Sequence, residues 1–193
     1  KIGRVWITFY RALHQTGDMA VVEALTDALI KQGLKVSAFY AYSLREPEAQ
    51  EELLRKAQAE SPDAILTMQS FSIGHMDKRV SFLETLDCPV IQVPTSTEDR
   101  QAWTNNPRGL SSSNVAMSVA LPETDGRLFS TVIGFKQEEK IDPDLEFRLK
   151  RLIQDEKQVE HVAELAANWV RLRRTDNAEK RVAIIMANYP NKD

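Results

Sequence analysis

The sequence runs to 193 residues with 42% hydrophobic and 27% charged side chains and a formal net charge of -3, the composition of an ordinary globular chain long enough to bury one sizeable core. That balance excludes the basic field that gathers nucleic acid or an anionic membrane surface, and no apolar run reaches the roughly 20 residues needed to span a bilayer. No charged-then-apolar leader opens the chain, and the single cysteine, Cys88, closes no internal disulfide, so a reducing, cytoplasmic setting is expected.

Residues 4–10 (RVWITFY) are apolar and rich in β-branched and aromatic side chains, the pattern of a strand covered on both faces. Over residues 18–32, Met19, Val22, Leu25, Ala28 and Leu29 recur at helical spacing, with Thr16 or Asp18 available as a cap and Gly33 as a stop. Residues 35–40 read as a second strand, 48–60 as a helix turning Leu53, Leu54 and Ala57 inward, and 63–68 (DAILTM) as a third strand. A helix over 80–86 and a fourth strand over 89–93 follow, and the pattern is then irregular as far as Pro107. Residues 111–121 read as a short helix that serine caps and Pro122 ends. A fifth strand is expected over 128–135, and one long helix over 144–174 from Leu145, Leu149, Leu152, Val159, Val162, Trp169 and Leu172. A polar connection leads to a sixth strand at 181–187 (RVAIIMA). The chain opens at Lys1 and stops at Asp193 directly behind that apolar run, so a piece of a longer protein is expected.

Strands alternating with helices imply parallel pairing through right-handed crossovers. The expected fold is α/β: a flavodoxin-like three-layer sandwich with a mostly parallel sheet over residues 1–140, strand order 2-1-3-4-5. Residues 141–193, the long helix and a further strand, then lead into a next domain. In such sheets ligands bind outside the carboxyl ends of the strands, where the strand order reverses. The loops at that point, 11–17 (RALHQTG), 69–75 (QSFSIGH) and the adjoining 94–100 (PTSTEDR), supply Arg11, His14, Gln69, Ser70, Ser72, His75, Ser96, Thr97 and Glu98. They fit either a ligand-binding rim or solvated loops and helix caps, because Ser, Thr and Asp favour such places for local hydrogen bonding alone.

His14 and His75 stand on separate loops without an i,i+4 partner, so a zinc-type cluster is not indicated. Neither GxGxxG nor GxxxxGK[ST] occurs, so ATP is not expected to bind here through either device. Cys88, ahead of Pro89 at a strand start, reads as buried and inert. Trp103, in the polar stretch DRQAWTNNPRG, either offers an aromatic face to a flat ligand or covers an edge of the sheet. ALPETDG (120–126) sets Glu123 and Asp125 on one turn between a helix and a strand, a composition that turn chemistry alone explains.

The runs FYRALHQTGD (9–18), LDCPVIQV (86–93), WTNNPRGL (103–110), NVAMSVALPETDGR (114–127) and ANYPNKD (187–193) follow one another in an order that resembles the large subunit of ATP-dependent cobaltochelatases. WxxxPRGL and VALPExDGR are the long, specific parts of the resemblance, which spans essentially the whole chain. Similarity to the magnesium chelatase large subunit is more distant and reaches TGD and ALPExDG.

The resemblance implies a fragment of a very large porphyrin- or corrin-binding subunit. Two AAA+ partner subunits hydrolyse the ATP, which is not bound here, while Co2+, the substrate metal, enters hydrogenobyrinic acid a,c-diamide on the aerobic route to cobalamin. Metal insertion must strip water from the cation and take protons from the macrocycle nitrogens. The resemblance assigns Glu123 as that base or as a transient metal ligand. It leaves Asp125 to orient Glu123 or bind the cation, and Trp103 and Arg108 to contact the macrocycle or its carboxylates. Arg11, His14, Gln69 and His75 at the rim are further substrate-binding candidates. The family's histidine directly after FYRA is here Leu13, with His14 one position on. Other expectations are a magnesium-chelatase-like subunit, a non-catalytic small-ligand-binding α/β module, or a structural domain whose active site lies elsewhere. The fragment alone is expected to be inactive.

Overall fold

A computed structural model describes residues 2–74, 82–107, 109–138 and 149–186. β1 (Arg4–Tyr10) lies between β2 (Lys35–Ala41) and β3 (Ala64–Thr67), with β4 (Val90–Gln92) and β5 (Leu128–Phe129) beyond, all parallel, in the order β2-β1-β3-β4-β5. This is the α/β sheet that the strand–helix alternation predicts. α1 (Arg11–Gln15) and α2 (Ala20–Lys31) follow β1, α3 (Pro47–Ala59) follows β2 and α4 (Phe82–Thr85) follows β3. α2 ends at Gly33, whose φ of 77° suits a residue without Cβ.

Alternation along β1 builds two cores, one on each face of the sheet. Val5, Ile7 and Phe9 pack with Val21, Leu25 and Leu29 of α2 and with Val159, Val162 and Ala166 of α8 (Glu156–Arg174). Trp6 points the other way, against Leu53 of α3 and Leu83 of α4. The result is three layers. α8 belongs to the first of these cores.

Several element boundaries differ from the sequence reading. Asp18 does not cap α2: its carboxylate accepts from Lys136 Nζ and from the Leu152 N–H, both at 2.8 Å, and so ties the start of α2 to a hairpin. That hairpin is formed by β6 (Gly134–Glu138) and β7 (Lys150–Gln154), antiparallel to each other. The single strand expected over 128–135 is therefore two, β5 on the parallel sheet and β6 in the hairpin. The long helix expected over 144–174 begins only at Glu156. Asp155 caps it through a bond from the Gln158 N–H, and Leu152, assigned to the helix by spacing, is a buried strand residue. The division placed at residue 140 falls between these paired strands.

The stretch expected to be irregular contains α5 (Arg100–Asn105), capped by Asp99. The helix expected to stop at Pro122 runs on: α6 (Ser112–Val115), a π-helical turn (Ala116–Ala120) and α7 (Leu121–Glu123) are continuous. Pro122, inside this run, donates no backbone N–H, and the Met117 carbonyl five residues before it accepts instead from the Phe71 N–H. The sixth strand expected at 181–187 pairs with nothing described; Val182, Ile184, Ile185 and Met186 are 82–93% exposed. Among the described residues no helix is long and apolar enough to cross a membrane.

Candidate functional site

The strand order reverses between β1 and β3, and the chain leaves the carboxyl end of both strands there. After β1 it turns straight into α1, which buries no residue. His14 is exposed and stacks on Tyr40 of β2, ring centroids 4.8 Å apart and 13° from parallel. The Arg11 guanidinium lies 5.8 Å from the centre of the Tyr42 ring. Tyr40 and Tyr42 are 51% and 69% exposed, so the β1–β2 side of the rim is an open surface of rings and one cation.

The β3 side is organised from below. Gln69 is buried: its Oε1 accepts from the Leu44 N–H at 2.9 Å, and its Nε2 donates to the carbonyls of Phe9 and Ala41 at 3.0 and 3.2 Å. Its amide is thus spent joining the ends of β1 and β2, beneath the rim and not on it. Arg127, at the entry to β5, lies beside it with a side chain 0% exposed. Nη1 donates to the Gln69 carbonyl (2.9 Å) and Gln92 Oε1 (2.8 Å), and Nη2 to the Phe71 carbonyl (2.9 Å) and Asp125 Oδ2 (2.8 Å).

Asp125, its side chain 2% exposed, completes the cluster by accepting from Ser72 Oγ at 2.7 Å and from the N–H groups of Ile73 and Gly74 at 2.7 and 2.9 Å. A Cβ at position 74 would lie 3.0 Å from Asp125 Oδ1, so this close approach favours glycine. Burial by itself raises the Asp125 carboxyl. The bonds from Ile73, Ser72 and Gly74 and the Arg127 charge outweigh it and hold the group below the ordinary carboxylate range. Burial also lowers Arg127, against the opposing pull of Asp125. A buried pair of this kind keeps its charges through the groups around it; both Nη atoms of Arg127 are bonded, while its buried Nε has no partner among the described residues.

Phe71, between these anchors, adopts φ 65° and is 46% exposed. Its N–H donates to the Met117 carbonyl in the π-helical turn at 2.7 Å, and the Ser70 and Ser118 hydroxyls share a 2.9 Å hydrogen bond. The Tyr10 hydroxyl donates to the Ser70 carbonyl at 3.2 Å, and burial raises its pKa. A bulky residue in the left-handed region costs about 1–3 kcal/mol and persists only where the surroundings over-determine it. Here both sides of its peptide are held.

Glu123 contrasts with Asp125. It ends α7, is exposed, and no described side chain or backbone donor engages its carboxylate. Its carbonyl accepts from the Gly126 N–H at 2.9 Å, closing the turn that carries Asp125. The two carboxylates of ALPETDG therefore share a turn without contacting each other, one free in solvent and one sealed in the protein. Among the described residues no group of three or more His, Cys, Asp or Glu could hold a metal ion.

Trp103 on α5 is half-buried and packs on Phe135 of β6, centroids 5.3 Å apart at 54°, in a cluster with Leu110 and Val132. It covers the hairpin, one of the two roles open to it in the sequence. The loop 94–100 is tied to β6, with the Ser96 N–H donating to the Gly134 carbonyl and the Lys136 N–H to that of Glu98. His75 and Arg108 lie outside the described residues. The Cys88 thiol is pushed up to about 12, chiefly by burial, and is inert at neutral pH. Sequence reasoning missed Arg127 and Phe71. An arginine two residues after a turn carboxylate, and a lone aromatic between serines in QSFSIG, were the available signals.

The whole chain, residues 1–193, matches the family described as CobN/Magnesium Chelatase. It is 37% identical to the aerobic cobaltochelatase subunit CobN of Sinorhizobium sp over 98% of its length, which is 15% of that relative. To a magnesium-chelatase subunit of Chlorobaculum parvum it is 32% identical over 59% of the chain and 8% of the relative. The solved catalytic subunit of cobaltochelatase from Mycobacterium tuberculosis superposes with a TM-score of 0.78 at 31% identity, covering 94% of this chain and 16% of that one. The chain thus spans about 15% of the length of the curated cobaltochelatase relatives. The match of the family model along residues 1–193, with 37% identity to a cobaltochelatase subunit over 98% of the chain, places it in the CobN/magnesium chelatase family.

Proposed function

We propose that this chain forms part of the tetrapyrrole site in the large subunit of an ATP-dependent cobaltochelatase. In this reading hydrogenobyrinic acid a,c-diamide is the bound macrocycle, Co2+ is the inserted substrate, and AAA+ partner subunits hydrolyse ATP in the cytoplasm. The observation that carries it is the contrast within ALPETDG: Glu123 is exposed and unengaged, while the turn it stands on is fixed by the buried Asp125.

Insertion requires a group that accepts protons from the macrocycle nitrogens or briefly holds the desolvating cation. A free carboxylate on a rigid turn suits either task, because nothing else must be broken for it to act. Asp125, with its oxygens taken up by four donors, positions the turn. Arg11 and the exposed rings beside it supply a cation for the substrate's carboxylates and flat faces for its ring system. Cobalt is favoured over magnesium as the substrate by the higher identity of the cobaltochelatase relatives, 37% and 34% over 98% of the chain, against 27% and 24% for magnesium-chelatase relatives matched over 91% and 98% of it.

The test is Glu123→Gln in the complete subunit, assayed with its ATPase partners. Chelation should fall by about 10²–10⁴-fold with tetrapyrrole binding, read by Soret-region absorbance, retained. Undiminished chelation rejects the assignment. The 193-residue chain alone should insert no Co2+ into the same macrocycle.

A further inference from the structure

We infer that Phe71 is a fixed aromatic platform for the flat face of the substrate, held outward by the buried Arg127–Asp125 pair. This rests on the reading that the rim takes a tetrapyrrole, and names how it does so. Phe71 stands in a left-handed conformation that glycine or asparagine would adopt with less strain, and 46% of its surface nevertheless remains exposed. Backbone preference therefore does not account for phenylalanine at this position, and packing leaves nearly half of it in solvent.

Its orientation is imposed from both sides. The N–H is bound to the Met117 carbonyl, and the carbonyl to the Arg127 guanidinium. The next three residues are anchored on Asp125 through the Ser72 hydroxyl and the Ile73 and Gly74 N–H groups. Turning the ring inward by rotating this backbone would break bonds inside a sealed ion pair. Among the described residues no ring packs on that of Phe71, and nearly half of the residue is exposed.

A ring carried on backbone that is held before binding contributes stacking at a reduced ordering cost. At the same carboxyl end of the sheet, beyond β1 and β2, stand Tyr40, Tyr42 and the Arg11 guanidinium. Rings with one cation suit a planar, conjugated ligand that bears carboxylates. The Asp125–Arg127 pair thereby acts as a positioning device, holding the platform on the same turn that presents Glu123.

The experiment uses the complete large subunit with Phe71→Gly and Phe71→Trp, titrated with hydrogenobyrinic acid a,c-diamide and with a water-soluble porphyrin. Glycine relieves the backbone strain and removes the ring. Phe71→Gly should keep or raise the thermal midpoint while weakening both tetrapyrroles about fivefold or more, and Phe71→Trp should stay within that factor of the parent. A smaller loss in Phe71→Gly, or a loss accompanied by a lowered midpoint, overturns the inference, as does equal weakening in Phe71→Trp. Glu123→Gln run in parallel separates the two readings: if it abolishes chelation while Phe71→Gly binds normally, only the platform fails. If Glu123→Gln leaves chelation intact, the assignment beneath it fails.

Discussion

The loop after β3 and the helix after β1 leave neighbouring strands at the same end of the sheet, yet they are held in opposite ways. The loop is bound through its backbone to a buried arginine, a buried aspartate and a helix carbonyl. The helix α1 has no fully buried residue: it sets Leu13 against the first core and otherwise meets its neighbours through a His14–Tyr40 stack and an Arg11–Tyr42 contact at the surface. One half of the rim is therefore pre-organised and the other adjustable. Under the proposed function, gripping a rigid ring system and admitting a metal would use both.

The largest effect expected from breaking this contrast comes from Arg127→Met. It leaves the Asp125 carboxylate buried without its cation, which costs about 3–5 kcal/mol, read as a lower urea midpoint of the 193-residue chain. Adding Asp125→Asn should recover part of that loss, because the uncompensated charge is gone. A loss under about 1 kcal/mol in the single variant would place Arg127 on the adjustable side of the comparison.

Acid sharpens it next. The folded-state pKa of Asp125 is depressed, so its contribution to stability is fully present above the ordinary carboxylate value of about 4 and is lost as pH falls below that toward the lowered folded value. Asp63 is shifted the same way: burial raises it, but the Arg174 guanidinium and the Arg4 N–H hold it down. Stability measured from pH 5 downward should fall, and Asp125→Asn should make the fall shallower without removing it. An unchanged slope would mean that Asp125 titrates alike folded and unfolded.

The smallest effect belongs to the open half. His14→Ala removes one exposed stack and should move stability by about 0.5 kcal/mol or less, measured by the same denaturation. A larger shift would show α1 to be as firmly built in as the loop.

Much of the fold was legible in the sequence. The strand order followed from the alternation of short apolar runs with amphipathic stretches, because right-handed crossovers leave few other arrangements. Less legible was the region after residue 127. There Leu149 and Leu152 continued a helical spacing, but Leu152 pairs with Lys136 in a hairpin, and Asp155 starts the helix afresh. A spacing of three or four residues cannot reveal that its first members have a strand partner elsewhere.

At the site, the sequence alone singled out ALPETDG and the loops at the carboxyl ends of the first and third strands, since turn residues and strand order are local or nearly local properties. It could not tell Glu123 from Asp125, nor see that Gln69 lies beneath the rim. Those distinctions are tertiary. Asp125 is buried because Arg127, Ser72, Ile73 and Gly74 converge on it, the last three across more than 50 residues of chain, and Glu123, two positions away, is exposed because no group among the described residues converges on it. Burial and charge pairing depend on which distant groups arrive, and that is decided only when the sheet has formed.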